Sequence, residues 1–146
     1  MNVIYINGKI NVKDLIQALL APLLIGLLAS LIISNETQRS AITILYSLIW
    51  LFILLFTGIS GYRVKLLRGR GRGFYAFTLL FGFLWHVVMF RFKAANISFG
   101  ILIVMIFSAV TTYFEFEKCD KKSARLMVPF IAAALLSAVY NFTLIE

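Results

Sequence analysis

The chain has 146 residues, of which 62% are hydrophobic, and its formal net charge at pH 7 is +8. This composition excludes a soluble globular protein and indicates an integral membrane protein. A single cysteine, Cys119, excludes an intrachain disulfide and a thiolate metal cluster, and a single histidine, His86, excludes a multi-histidine metal or haem site within one chain.

Five apolar stretches predict five transmembrane helices. In chain order they cover residues 15–34, 41–62, 74–90, 97–114 and 126–145. Each is close to the roughly 20 residues that cross about 30 Å of hydrocarbon as a helix. The stretches lack the apolar and polar alternation of barrel strands, so the predicted fold is an all-α bundle in one domain over residues 1–146. Spans three and four are short, and the short connections predict that consecutive helices are antiparallel neighbours.

The basic residues are distributed unevenly between the two sides of the predicted bundle. Eleven of fourteen fall in the amino-terminal segment and in the second and fourth loops, against Arg39, Arg91 and Lys93 opposite. The positive-inside rule therefore predicts a cytoplasmic amino terminus and an external carboxyl terminus. The arginine and glycine run at 69–73 is interpreted as a solvated loop that touches anionic lipid, and no nucleic-acid partner is predicted.

Chemistry inside the spans is limited. Acidic residues are absent from the middle of every stretch, which disfavours an ion-driven pump. No nucleophile and base, and no paired carboxylates, lie at bilayer depth, so neither an enzyme nor a catalytic residue is predicted. His86 beside Trp85 has two interpretations, an interfacial histidine or an axial ligand of a metalloporphyrin.

Large rings and small residues recur at helical spacing in three spans. These positions are Trp50, Leu54, Thr57 and Gly61 in span two, Thr78, Phe81, Gly82, Trp85 and Met89 in span three, and Ala133, Ser137 and Asn141 in span five. Ordinary helix packing explains such faces. Two tryptophans against small-residue walls also suit a flat apolar ligand, with Asn141 or Ser137 as a polar anchor. Both interpretations stay open at this level.

Four spans carry short motifs in a familiar order. They are Pro22 and Gly26 in the first, Ile49–Trp50 with Gly58–Ser60 and Tyr62 in the second, Phe81–Trp85 running to Phe90 in the third, and Leu126–Phe130 with Asn141 in the last. Pro129 and Asn141 are twelve residues apart. Together these segments resemble the TspO/MBR family, also called tryptophan-rich sensory or translocator proteins.

The resemblance implies a membrane receptor or sensor for hydrophobic planar ligands, such as a tetrapyrrole (porphyrin or haem) or a sterol-like molecule. It implies that Trp50, Trp85, Ser137, Ala138 and Asn141 line the pocket, with ring contacts from the tryptophans and a polar contact from Asn141. An interhelical hydrogen bond is the alternative role of Asn141. A homodimer and a bacterial plasma membrane are further expectations, whereas no metal and no resident cofactor are expected.

The chain also departs from the family pattern. The long first loop of the family is reduced here to Asn35–Ser40, and Gly82 stands where the family has Asn. Ala133 replaces a Trp and Phe130 replaces a Tyr. These differences predict a scaffold that is better retained than the site, without porphyrin chemistry. A small transporter of lipophilic compounds and a membrane scaffold without a ligand are the alternative functions.

Overall fold

The structure is a computed structural model that describes residues 12–36 and 41–145. In the order α1 to α5, its helices are Val12–Glu36, Ala41–Leu66, Arg72–His86, Ala95–Cys119 and Lys121–Phe142. A π-helical turn, Val87–Arg91, extends α3, so the third span runs from Arg72 to Arg91. All five spans are long and apolar enough to cross a membrane, which confirms the predicted all-α, five-span bundle.

The helices extend beyond the apolar stretches at their charged ends. α4 has 25 residues, so the prediction of a short fourth span is wrong. Helical backbone bonding continues through Cys119, which ends α4 instead of lying in a loop. Asp120 alone separates α4 from α5, and its carboxylate accepts hydrogen bonds from the backbone N–H groups of Lys122 and Ser123. This N-cap starts α5 earlier than apolarity predicts, because capping satisfies free amides whatever the hydropathy of the first turn.

Two prolines lie inside helices. Pro22 is within α1 and Pro129 is within α5. Hydropathy predicts a span that begins at residue 126 and therefore places Pro129 near its start. This prediction is wrong, because α5 begins eight residues before Pro129, at Lys121. Each proline lacks an N–H, so one backbone carbonyl a turn before it loses its helical donor.

The helices form a closed ring in the order α1, α2, α5, α4, α3 and back to α1. Consecutive helices α2 and α3 share only a few contacts, so the expectation that all consecutive helices are neighbours fails for this pair. The connection between them crosses the end of the bundle, where Gly69 packs against the side chain of Cys119. Because the chain crosses there, α3 lies between α4 and α1.

Glycines bring backbones together at two points that fix this arrangement. A Cβ at Gly58 of α2 would lie 2.8 Å from a methyl of Leu19 and 3.4 Å from the carbonyl oxygen of Ala18, so α1 and α2 touch there. Gly71 precedes α3 with φ of 87°, a left-handed conformation that glycine adopts without strain. Its Cα faces Glu115, which places the start of α3 against α4.

Charged and hydroxyl side chains fasten α2 to α5 at one end of the ring. Arg63 Nε donates to Asp120 Oδ2 at 2.7 Å, and Ser60 Oγ donates to the carbonyl of Ser123 at 2.7 Å. Partial burial alone would raise the pKa of Asp120. Hydrogen bonds from Arg63 and Ser123, together with the charge of Arg63, outweigh burial and lower that pKa from 3.8 to about 2. We call this the polar end of the bundle.

Candidate functional site

An aromatic cluster lies between α2, α3 and α5, towards the end of the bundle opposite the polar end. Trp50 is central: its ring centroid lies 6.4 Å from that of Trp85, 5.1 Å from that of His86 and 5.8 Å from that of Phe130. Tyr46, one turn before Trp50, is 6.3 Å from it. Edge-to-face and tilted contacts predominate, as expected for packed aromatic rings. The face predicted for span two from helical spacing is confirmed for Trp50, Leu54 and Thr57, which are all buried.

His86 is part of this cluster and is 5% exposed. Its Nδ1 lies 2.7 Å from the carbonyl oxygen of Gly82. A carbonyl can only accept, so Nδ1 carries a proton in this contact. Trp85 packs edge-on at 4.7 Å and Phe90 stacks at 6.1 Å. Neighbouring rings therefore cover His86 inside the bundle, and its position at the membrane interface stays a prediction.

A cavity of about 270 Å³ adjoins the aromatic cluster. Its lining comes from α2, from the end of α3 and from α5, and consists of Tyr46, Ile49, Trp50, Ile53, Trp85, Phe90, Ala133, Leu136, Ser137 and Tyr140. We call it the α2/α5 cavity. Ile49 of α2 and Leu136 of α5 are exposed, which places them at its outer edge. The cavity therefore opens sideways between α2 and α5, where lipid surrounds a membrane protein.

The lining is apolar, with a few polar atoms and no charged side chain. The indole Nε1 of Trp85 is fully covered and has no hydrogen-bond partner in the described part of the chain. Ser137, with 9% exposure, brings a hydroxyl to the wall formed by α5. Within residues 12–36 and 41–145, no group of three or more His, Cys, Asp or Glu side chains could hold a metal ion.

The structure brings some of the predicted site residues together. Trp50, Trp85 and Ser137 line the α2/α5 cavity. Ala138 packs against the aromatic core and is absent from the lining. Asn141 is fully buried and bridges α5 to α4: Ser98 Oγ donates to its Oδ1 at 2.7 Å, and its Nδ2 donates to the carbonyl of Ala95 at 2.9 Å. Both ends of the Asn141 amide are thus engaged within the protein.

A second, much smaller space lies between α1, α2 and α3. It has about 20 Å³ and borders Gly26, Ser30, Tyr46 and His86 among others. That volume suffices for about one water molecule. Gly82 also faces this space, and a Cβ there would meet only ordinary contacts with Met105 and Phe130. An organic ligand fits only the α2/α5 cavity of the two.

Several residues that line the α2/α5 cavity are not predicted from the sequence. Tyr46 precedes Trp50 by four residues and so shares its helix face, a signal that periodicity offers. Phe90 follows Trp85 by five residues, and the π-helical turn directs it back to the same cluster, at 6.1 Å from Trp85. A register shift of this kind has no mark in the hydropathy pattern. Leu136 and Tyr140 are exposed aliphatic and aromatic side chains, which in a membrane span indicate only contact with lipid.

Comparison with known proteins agrees with the motif reading. The sequence model of the TspO/MBR family matches residues 18–146, which include the aromatic cluster and the whole lining of the α2/α5 cavity. No curated protein matches the chain.

Proposed function

Because this chain belongs to the TspO/MBR family, we propose that it is a membrane receptor or sensor that binds hydrophobic planar ligands in the α2/α5 cavity. The observation that supports this most strongly is the lining itself: Trp50 and Trp85 border a cavity whose opposite wall holds the small residues Ala133 and Ser137. Aromatic faces opposite small residues leave a slot, and a slot fits a flat ring system.

The size of the cavity limits how a ligand sits. Pockets that enclose drug-sized molecules measure about 300–1,000 Å³, and this one measures about 270 Å³. It therefore encloses a small polycyclic molecule, or one edge of a tetrapyrrole or sterol-like ligand whose remainder extends between Ile49 and Leu136 into the lipid. Ala133, where the family has Trp, leaves part of this space open.

Residue roles follow from the positions described above. Trp50 and Trp85 supply ring contacts, and Ser137 supplies the polar contact. Ala138 supports the wall from behind. Asn141 acts through structure, because its hydrogen bonds to Ser98 and Ala95 hold α5 against α4 at the edge of the site. The proposal includes neither catalysis nor a resident cofactor, and a porphyrin or haem would be the bound ligand.

The proposed setting is a bacterial plasma membrane with the polar end of the bundle in the cytoplasm. Arg63, Lys65, Arg68, Arg70 and Arg72 all lie at that end, which supports this orientation. The α2/α5 cavity then lies in the outer half of the membrane. Homodimerisation, common in the family, is part of the proposal but not needed for the cavity.

Transport of lipophilic compounds is a second candidate, favoured by the sideways opening of the cavity. A ligand could enter from lipid through that opening without crossing a headgroup layer. Binding without flux in proteoliposomes would favour the sensor. A scaffold that binds no ligand is the remaining alternative, and the fully engaged Asn141 is compatible with it.

The test is quenching of intrinsic tryptophan fluorescence in detergent, with protoporphyrin IX and haem as probes. Both tryptophans of the chain border the cavity, so a bound ring system quenches the whole signal. We expect saturable quenching at micromolar probe. Ala133→Leu fills the cavity and leaves both reporters in place, so the apparent Kd should rise about tenfold or more, as expected from a steric conflict of 1.4 kcal/mol or larger.

Ala132→Leu is the matched control. Ala132 is the neighbouring residue on α5 and is exposed, so the same added volume should leave the apparent Kd unchanged. Trp50→Phe and Trp85→Phe then assign the quenching to each ring. Linear, non-saturating quenching in wild type, or equal loss in both alanine variants, would contradict the proposal and favour the scaffold.

A further inference from the structure

Two basic segments that are distant in sequence meet at the polar end of the bundle. One follows α2 and the other begins α5. Gly69 lies so close to Cys119 that an added Cβ would be 2.6 Å from its Sγ, and Arg63 is paired with Asp120. These contacts place the two segments side by side. Their exposed cations are Arg68, Arg70, Arg72, Lys121, Lys122 and Arg125, which we call the basic patch.

The carboxylates at the polar end do not balance the six cations of the basic patch, because Glu117 is the one described carboxylate there besides three that are in ion pairs. Three carboxylates of the polar end are already paired: Asp14 with Lys65, Glu115 with Lys118, and Asp120 with Arg63. None of these three pairs uses a cation of the patch. Six like charges on adjoining segments repel one another, and this repulsion is relieved when anions bind.

The start of α3 adds to the demand for an anion. Its N-cap is Gly71, which provides no side-chain hydrogen bond, and Arg72 is its first residue. A helix N-terminus favours negative charge and carries free N–H groups, and the Glu115 side chain beside Gly71 is already paired with Lys118. A phosphate group satisfies the free amides and the arginine together.

The position of the basic patch along the membrane normal identifies the anion. Arg72 and Lys121 are the first residues of two membrane spans. Large apolar side chains are exposed within two turns of these residues: Phe74, two residues after Arg72, is 46% exposed, and Val128, seven residues after Lys121, is 48% exposed. Cations followed directly by exposed apolar side chains match the layering of headgroup and acyl chain in a bilayer.

We propose that the basic patch is a binding surface for the phosphate headgroups of anionic phospholipids in the leaflet at the polar end. The two segments act as one surface, so a lipid phosphate between them ties the α2–α3 connection to the start of α5. This site is independent of the α2/α5 cavity, and it stands or falls apart from the ligand proposed there.

The experiment is native mass spectrometry of the full chain, released from neutral detergent that contains equal amounts of phosphatidylglycerol and phosphatidylcholine with identical acyl chains. We expect phosphatidylglycerol to be retained about tenfold more strongly. The double variant Arg70→Gln/Lys122→Gln, with one change in each segment, should remove most of this preference. Arg70→Lys/Lys122→Arg keeps both charges and should keep it.

The matched control removes two charges from the opposite end, with Arg91→Gln/Lys93→Gln, and should leave the preference intact. Circular dichroism confirms that each variant is helical before lipids are compared. Equal retention of the two lipids by wild type, or equal loss in the two glutamine doubles, would overturn the proposal. Competition by a short RNA or by inorganic phosphate that displaces phosphatidylglycerol at 150 mM salt would also overturn it, because the patch would then recognise a soluble anion.

Discussion

The two ends of the α2–α5 contact differ in how the helices are joined. At the polar end, an ion pair and a hydroxyl bond link them directly, through Arg63 with Asp120 and Ser60 with Ser123. At the aromatic end, Trp50 of α2 packs against Phe130 of α5, and beyond this contact the two helices border a cavity of about 270 Å³. The polar end thus holds α2 and α5 together, and the aromatic end leaves space for a ligand between them. A binding site in a membrane bundle needs both, because a cavity persists only where other contacts hold the helices in place.

The largest effect is expected from removing the ion pair. Arg63→Met leaves the Asp120 carboxylate, 16% exposed, without its guanidinium partner. Breaking a buried pair on one side costs about 3–5 kcal/mol, and because Asp120 is partly exposed we expect a loss of about 3 kcal/mol. Thermal unfolding in detergent, followed by circular dichroism, should show a clear loss. If Arg63→Met melted like wild type, the ion pair at the polar end would not be what holds α2 and α5 together.

A smaller loss is expected where α1 and α2 touch. Gly58→Val would push side-chain atoms into Leu19 and the backbone of Ala18, and overpacking of this kind costs about 1–3 kcal/mol. Gly100→Val is the control, because a Cβ at Gly100 has no neighbour within 4 Å. Melting curves of the two variants should separate, and overlapping curves would mean that the α1–α2 contact adapts freely.

Substitution of Asn141 tests whether its hydrogen bonds to α4 stabilise the aromatic end of the bundle. Asn141→Ala removes two hydrogen bonds to α4 and leaves Ser98 without that acceptor, at a cost of about 1 kcal/mol. We expect a modest drop in melting temperature with little change in the Kd for protoporphyrin IX, because Asn141 does not line the cavity. A large change in Kd at unchanged stability would instead make Asn141 a ligand contact.

The smallest effect concerns acid. The pKa of Asp120 is lowered from 3.8 to about 2 in the folded protein. A lowered carboxyl pKa stabilises the fold above the unfolded value, and this stabilisation disappears as pH falls from about 4 towards 2. The difference in melting temperature between wild type and Asp120→Asn should be constant above pH 5 and shrink below pH 4. A difference that was as large at pH 2.5 as at pH 5 would remove Asp120 from the explanation.

Much of the architecture could be predicted because hydropathy identifies the segments that lie in lipid. Five spans and their helical nature follow from the need to satisfy backbone groups in lipid. The helix ends were less predictable: Asp120 and the charged turn of α4 lie beyond the apolar stretches, where capping and backbone bonding decide. Of the site, Trp50, Trp85 and Ser137 were found from helical spacing and family motifs, whereas Phe90 depends on a π-helical turn.

The sequence by itself determined that this is a membrane protein, how many times it spans the membrane and to which family it belongs. Each of these depends on residue type and spacing along the chain. Only the tertiary structure decided the ring order, the buried position of His86 and the use of both Asn141 amide groups by α4. The physical reason is that in lipid an apolar side chain is equally at home against a neighbour or an acyl chain. Hydropathy therefore locates a helix in the membrane but does not choose its partners, and close packing and paired polar groups make that choice.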